Sequence, residues 1–468
     1  MTPEALTAED AALLSAAAPG TQLQIGALCF FEAEPLKDRR GRLRVAALRS
    51  HAEARLGALP RFRQRIAPVL ADLAPPVWVD DTDFDIARHA KHHRLPPPGG
   101  TEALRQLMGR LLSEPMDLAH PLWDLHLIEG VGSEVAGGEH QTEAVAVVIR
   151  AHHVMADGLA LHAAATLLLD PAPRRYRSRP HQWSPDETPG VIDLTARSLA
   201  ERTRRQADLA IDLTRTFTDP RQIASLARSL GSGLPPTAPK LPFTGPVGRR
   251  RAFAWGSLPL ADIVAVKEAC GATVNDVVLA IVTGALRRRM EAGGRCISAR
   301  AEPRALIPIG SPDSTAALGN RFSITNVLLP MAVDDPLERV RLIHSRMHEH
   351  ASSPANPLTP HLFAIADFVP PPVLRAVVPR LLARQPLVNL AVSNIPGSRQ
   401  PLYLWESRLL GLHPFIDVVG NVALIVGVLS YGDELGVGIT VDPDVAGDPS
   451  RIATELRASA SELFEVLR

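Results

Sequence analysis

The sequence reads as a mixed α/β protein built in two halves. Short β-branched runs such as "AVAVVIRA" (144–151) alternate with stretches whose apolar residues recur at helical spacing, such as "GRLRVAALRSHAEARLGALP" (41–60). Near the middle, "LPPTAPKLPFTGP" (234–246) packs five prolines into one short span. A chain of 468 residues also exceeds what one hydrophobic core usually serves, so two or three domains are expected.

Taken in order, 41–60 predicts a helix that stops at Pro60, and "TEALRQLMGRLLSEPMD" (101–117) predicts another. The β-branched run 144–151 predicts a strand, and "GLALHAAATLLLD" (158–170) the helix after it. Between the helix at 101–117 and that strand, "GSEVAGGEHQTE" (132–143) looks like an exposed hairpin insertion. Proline and arginine dominate 171–190, where the first domain should end, and a helical arm is expected at about 191–230. The five-proline stretch is the expected crossover linker. The division is thus 1–185, an arm and linker at 186–246, and 247–468. In the last part "ATVNDVVLAIVTGALRRRMEAGG" (272–294) predicts a helix with Thr273 and Asp276 as a capping box, ended by Gly293 and Gly294. Strands are expected at 304–309, 323–329, 388–393, 421–430 and 435–441, and a final helix at 449–467.

Charge and cysteine usage narrow the function classes. Lys plus Arg and Asp plus Glu are equal at 50 each, so the chain has no electrostatic footprint for nucleic acid. Cys29, Cys270 and Cys296 are far apart without a CxxC pair, which fits a reducing cytosol. The N-terminal "MTPEALTAEDAALLSAAAPG" has neither the basic flank nor the apolar core of a signal peptide. The longest apolar run, "VGNVALIVGVLSYG" (418–431), is too short to span a bilayer as a helix and reads as a buried strand. A cytoplasmic location is expected.

Chemistry concentrates in "VIRAHHVMADGLALHA" (148–163). Neighbouring side chains of a strand point to opposite faces, so His152 and His153 cannot share one cavity. One suits a general base, since an ordinary imidazole titrates near the working pH, and the other packs or hydrogen-bonds. A helix starting near Gly158 would aim its positive end at the turn and keep the base neutral. Asp157 would cap backbone N–H groups or pair with an arginine, and Gly158 permits close backbone approach. No GxSxG and no nearby cysteine supplies a nucleophile, so the base would activate a hydroxyl or amine of a substrate. The spacing of His152, His153, Asp157 and His162 matches no familiar metal-ligand set.

His152-His153-x-x-x-Asp157-Gly158 resembles the HHxxxDG signature of the CoA-dependent acyltransferase superfamily. Along nearly its whole length the chain resembles the bacterial wax ester synthase/diacylglycerol acyltransferase family. The likeness runs through "LPRFRQRIAPV" (59–69), "PVWVDDTDFDIARHAKHHRLPPPGG" (76–100), "EPMDLAHPLWDLHLIEGV" (114–131), "FTGPVGRRRAFAW" (243–255), "LGNRFS" (318–323) and "SNIPGSRQPLYL" (393–404). It includes the PLW element Pro121-Leu122-Trp123 and the ND element Asn275-Asp276.

The resemblance implies two chloramphenicol-acetyltransferase-like domains with a tunnel between them. It implies an acyl-CoA-dependent O-acyltransferase, with diacylglycerol or a long-chain alcohol as acceptor and His153 as general base. Asp157 would be structural, paired with Arg63 or Arg65. Acyl-CoA enters as substrate, and neither cofactor nor metal is implied. Two departures bear on substrate choice: "ALIPIGSPDST" (305–315) lacks the arginine of the family's PVSVR-like segment, and the insertion at 132–143 is unusual. A condensation-type acyltransferase using carrier-bound acyl groups shares HHxxxDG and is the alternative, but no DFGWG-like element is present.

The remaining candidates keep two readings each. Pro121-Leu122-Trp123 lines an alcohol channel or makes an apolar turn. Asn275 and Asp276 shape the site, or Asp276 merely caps its helix. Ser393 and Asn394 bond an oxyanion or close a turn. "RHAKHH" (88–93) reads as a solvated loop. "VLRAVVPRLLAR" (373–384) places six aliphatic residues on an arc of about 180°, bordered by arginines. It is a core helix or a contact with a membrane or lipid-droplet surface.

Overall fold

The computed structural model describes the chain except residues 1–2, 18–19, 58, 133–142, 156–165, 177–182, 222, 224–236, 295–301, 311–321, 353–363 and 468. The strands in chain order are β1 (Glu4–Ala5), β2 (Gln24–Glu32), β3 (Gln64–Ala67), β4 (Val77–Asp80), β5 (Ala90–Arg94), β6 (Trp123–Val131), β7 (Ala144–His152) and β8 (Ala252–Pro259). They continue with β9 (Arg304–Gly310), β10 (Phe322–Leu328), β11 (Leu390–Ile395), β12 (Tyr403–Leu404), β13 (Ser407–Ile416), β14 (Leu424–Tyr431) and β15 (Glu434–Val441). The helices are α1 (Ala8–Ala16), α2 (Val45–Leu56), α3 (Ile86–His89), α4 (Gly100–Ser113), α5 (Val191–Thr218) and α6 (Leu260–Cys270). After them come α7 (Val274–Ala292), α8 (Pro336–Ser352), α9 (Pro371–Leu382), α10 (Pro443–Ala446) and α11 (Pro449–Glu465).

Two six-stranded sheets carry the fold, with strand orders β12-β13-β2-β7-β6-β5 and β10-β9-β11-β14-β15-β8, beside a small sheet β1-β4-β3. Residues 403–416 lie within the expected C-terminal domain (247–468), yet they form β12 and β13 of the first sheet, where β13 pairs antiparallel with β2. The two halves are therefore interleaved through this strand pair. The five-proline linker is described from residue 237 on, and Leu241 and Phe243 within it are buried in the second core.

The first sheet is buried on both faces. Leu28, Phe30, Ala146 and Val148 pack against Leu104, Met108 and Leu111 of α4. Ile25, Cys29, Val147 and Ile149 on the other face meet Leu48, Ala52 and Leu56 of α2. In the second half α7 is buried on every side from Asp276 to Leu286 and runs through the core there. Its start has the capping box expected at Thr273 and Asp276. Among the described residues no single helix is long and apolar enough to cross a membrane. The pair α6–α7 passes by composition, but it is bent by 103° and α7 is core.

Local pattern does not announce β2, β6 and β13, inside the first sheet, or β8, at the edge of the second. The segment 88–93, expected as a solvated loop, is instead α3 followed by β5, which runs parallel to β6. His89 is buried in it, stacked on Trp123 with ring centroids 4.8 Å apart. The expected hairpin at 132–143 and most of the helix at 158–170 lie outside the described residues.

Candidate active site

β7 ends at His152, and His153–Met155 form the turn that follows. Asp157 and Gly158, like His162, lie outside the described residues. The His152 N–H donates to the Leu122 carbonyl at 2.9 Å, and its Nδ1 accepts the Val154 N–H at 3.2 Å. Burial, with His153 alongside, pushes the His152 imidazole down to about 3. It is therefore neutral at ordinary pH. His153 is half-buried, and its N–H donates to the Leu23 carbonyl at 2.7 Å. Past the end of β7 the backbone of His153 is held beside Leu23, two residues before Ile25 of β2.

Leu23 holds this contact in a left-handed backbone conformation, with φ +51, which is uncommon outside glycine. Two buried arginines brace it. Arg251, at the entrance to β8, forms a buried ion pair with Asp417 at the end of β13 and also bonds the Gly20 carbonyl. Asp417 in turn accepts the Gln22 N–H at 2.9 Å, and its own N–H donates to the Gln24 carbonyl at 2.8 Å. Burial pushes the Asp417 carboxyl up, against the pull of Arg251. Arg150, two residues before His152, forks onto Asp124 at 2.9 and 2.5 Å and donates to Gln24 Oε1 at 3.2 Å. Burial alone would raise Asp124, but bonds from Arg150 and His126 outweigh it and hold the carboxyl below its usual range. From Asp124 a chain continues through buried His126 to half-buried His93, at 2.9 Å each step.

On the Val147 and Ile149 face of the first sheet lies an apolar cavity of about 1000 Å³, the open solvent at its mouth included; neither His152 nor His153 is among its lining residues. Ile25, Ala27, Cys29 and Phe31 of β2 form one side, and α2, Ile395 and Leu402 close over it. His51 of α2 adds a ring whose two nitrogens are both engaged, with the Leu168 carbonyl at 2.8 Å and the Trp405 indole N–H at 3.1 Å.

The other expected site residues divide. Pro121, Leu122 and Trp123 stand directly beside the histidines: Leu122 holds the His152 N–H, and Trp123 pairs in register with Ala151. The Trp123 indole is buried and donates to the Phe62 carbonyl at 2.8 Å, so it forms a wall of the core. Ser393 is buried and shares the β11 face of Ile395, at the cavity, whereas Asn394 is on the face of Val392 in the second core. Asp276 is engaged within the second half, not with His152 or His153: its Oδ2 accepts the Thr273 N–H and lies 2.9 Å from His344 Nδ1 of α8. Asn275 Oδ1 is buried with no hydrogen-bond partner among the described residues. Arg63 is buried, its guanidinium 4.8 Å from the Trp183 ring, and Arg65 lies half-buried on β3. Among the described residues no group of three or more His, Cys, Asp or Glu is placed to hold a metal ion.

Sequence reasoning did not single out Leu23, Arg150, Arg251 or Asp417. A signal existed for Arg150, since an arginine inside a β-branched run must find a buried partner.

Comparison with known proteins places this geometry. Residues 6–278 match the wax ester synthase/diacylglycerol acyltransferase catalytic domain, and residues 318–463 match the WS/DGAT C-terminal domain. The Mycobacterium tuberculosis (H37Rv) protein named "Probable diacyglycerol O-acyltransferase tgs1" is 30% identical over 451 residues, covering 95% of this chain and 92% of its own. The wax ester synthase/diacylglycerol acyltransferase from Marinobacter aquaeolei VT8 superposes with a TM-score of 0.66 at 23% identity, covering 99% of both chains. The first condensation domain of the calcium-dependent antibiotic synthetase superposes with a TM-score of 0.61 at 14% identity, covering 100% of this chain and 96% of its own. That likeness is one of fold: both share the two-domain, chloramphenicol-acetyltransferase-like architecture expected from the motif. The chain belongs to the wax ester synthase/diacylglycerol acyltransferase family and is an acyltransferase.

Proposed function

We propose that His153 is the general base in transfer of an acyl group from acyl-CoA to the hydroxyl of diacylglycerol or a long-chain alcohol. The acceptor O–H gives its proton to the His153 ring as its oxygen bonds the thioester carbonyl carbon. The tetrahedral intermediate then expels the CoA thiolate, which takes the proton back from the imidazolium. The observation that carries this reading is the contrast between the two histidines. His152 is buried, neutral and bonded back to its own turn, while His153 is half-buried in that turn, its N–H on the Leu23 carbonyl, two residues from the cavity-lining Ile25. Asp157 and Gly158 would hold the turn. Ser393, on the cavity side of β11, is a candidate oxyanion donor. Thiol release from palmitoyl-CoA with diacylglycerol and a long-chain alcohol in competition tests the reaction. His153→Ala in a folded protein should lower the rate by ~10²–10⁴-fold. An unchanged rate would remove the assignment.

The same reading calls for contact with a lipid surface, because these acceptors are insoluble in water. We propose α9 for this role. Val373, Val377 and Leu381 form a stripe at i, i+4, i+8 and are 46%, 43% and 64% exposed. Leu70, Leu73 and Phe368 add exposed apolar surface, tied to α9 through the Arg375–Asp72 ion pair and the Arg202 bonds to the Leu73 and Val369 carbonyls. Arg380 and Arg384 are exposed beside the stripe, and α9 carries no acidic residue. An anionic leaflet or lipid inclusion fits that pattern, met peripherally from the cytoplasmic side.

A further inference from the structure

We propose that the apolar cavity lined from Ile25, two residues from the Leu23 carbonyl that holds the His153 N–H, is a chain-length gauge, with Phe31 and Leu402 as the floor that sets the longest alkyl chain accepted. This rests on the acyl-transfer reading above and extends it to specificity. The register of the first sheet gives the cavity a scale. Four rows cross the sheet below the Leu23 carbonyl that holds His153: Ile416–Ile25–Ala151, then Pro414–Ala27–Ile149, then Leu412–Cys29–Val147, then Leu409–Phe31–Val145. Strands rise about 3.3 Å per residue, so Ile25 to Phe31 spans roughly 20 Å. A fatty chain occupies about half of the ~30 Å hydrocarbon core of a bilayer, so one long chain fits this length.

The walls offer such a chain almost nothing polar. The His51 ring nitrogens are both taken, and the Cys29 thiol, pushed up to about 12 by burial, stays protonated. The floor is cross-tied. Leu409, the register partner of Phe31, donates its N–H to the Leu402 carbonyl at 2.9 Å. The Tyr431 hydroxyl accepts the Leu402 N–H and donates to the Leu409 carbonyl, at 3.0 Å each. Phe31 lines the cavity and is 2% exposed, so a packed ring stands at the fourth row.

The test places obstacles at two depths. Ala27→Phe blocks the second row and Cys29→Phe the third, while Phe31→Leu opens the floor. Each variant is assayed with an acyl-CoA length series against one short alcohol, and with an alcohol length series against one acyl-CoA. The readout is kcat/KM for long relative to short chains within one protein, so losses of folded enzyme cancel. Each methylene excluded should cost about fourfold. The expected order of the longest accepted chain is Ala27→Phe, then Cys29→Phe, then wild type, then Phe31→Leu. The series that shifts, acyl or alcohol, names the chain that lodges there. Length ratios unchanged in both series, or the two blocking variants in reversed order, would overturn the proposal. Should one phenylalanine fail to fold, the other still fixes the direction of the shift. Failure of the acyl-transfer reading would show separately, as wild-type protein releasing no thiol with any chain.

Discussion

Lowering the pH from 7 to 5 should expose the buried state of His152 through stability alone. In the unfolded chain its imidazole titrates near 6.5, while in the folded protein burial pushes it down to about 3. Unfolded chains therefore take up a proton that the folded protein refuses. The stability held at neutral pH falls as the pH drops through 6.5, and the loss levels off only below about 3. Between pH 7 and 5 this one ring should cost about 2 kcal/mol. His413, down to about 4, with His89 and His51, adds to the loss in the same direction. The wild type alone therefore cannot isolate His152. His152→Asn can, because the carboxamide oxygen stands in for Nδ1 and still accepts the Val154 N–H. Urea unfolding of both proteins at pH 7 and pH 5, at constant ionic strength, should show the wild type losing about 2 kcal/mol more than the variant. Equal losses would mean that the folded protein charges or solvates the His152 ring, and the distinction drawn between the two histidines would fail.

Three further outcomes follow from the same geometry. His152→Asn should retain more acyl transfer than His153→Ala, measured as thiol release by variants of matched folded fraction; the reverse order would exchange their roles. Arg251→Gln and Asp417→Asn should each cost about 3–5 kcal/mol, because each strands a buried partner, and the double variant should cost less than their sum. Additive unfolding midpoints would deny the coupling. Replacing Val377 and Leu381 by Ser should weaken flotation with anionic vesicles and turnover on vesicle-borne diacylglycerol while leaving a short soluble alcohol served. Wild-type binding should weaken as salt rises, and equal loss on both acceptors would move the lipid contact elsewhere.

What local sequence makes legible here is chemistry with short spacing. The histidine pair, the strand before it and the capped helix at 274–292 each announce themselves within a few residues. The strands that build the site do not. β2, "QIGALCFFE", is buried on both faces and so shows no polar alternation. β13, "SRLLGLHPFI", carries Gly411 and Pro414, residues that argue against a strand interior. It nevertheless pairs with β2 across more than half the chain, leaving its bulge between Leu409 and Gly411. Arg150 is the intermediate case. Its charge inside an apolar strand demands a buried carboxylate, and Asp124 in "PLWDLHL" faces it in register, so mutual need alone could have paired β6 with β7. No such clue leads to Leu23. Nothing in its own sequence asks for a positive φ, which is imposed by Asp417, 394 positions away, and by Arg251 behind it. The proposed base is therefore readable because its chemistry is local. The groups that aim it are not, because each earns its place only once both halves of the chain have closed around the same turn.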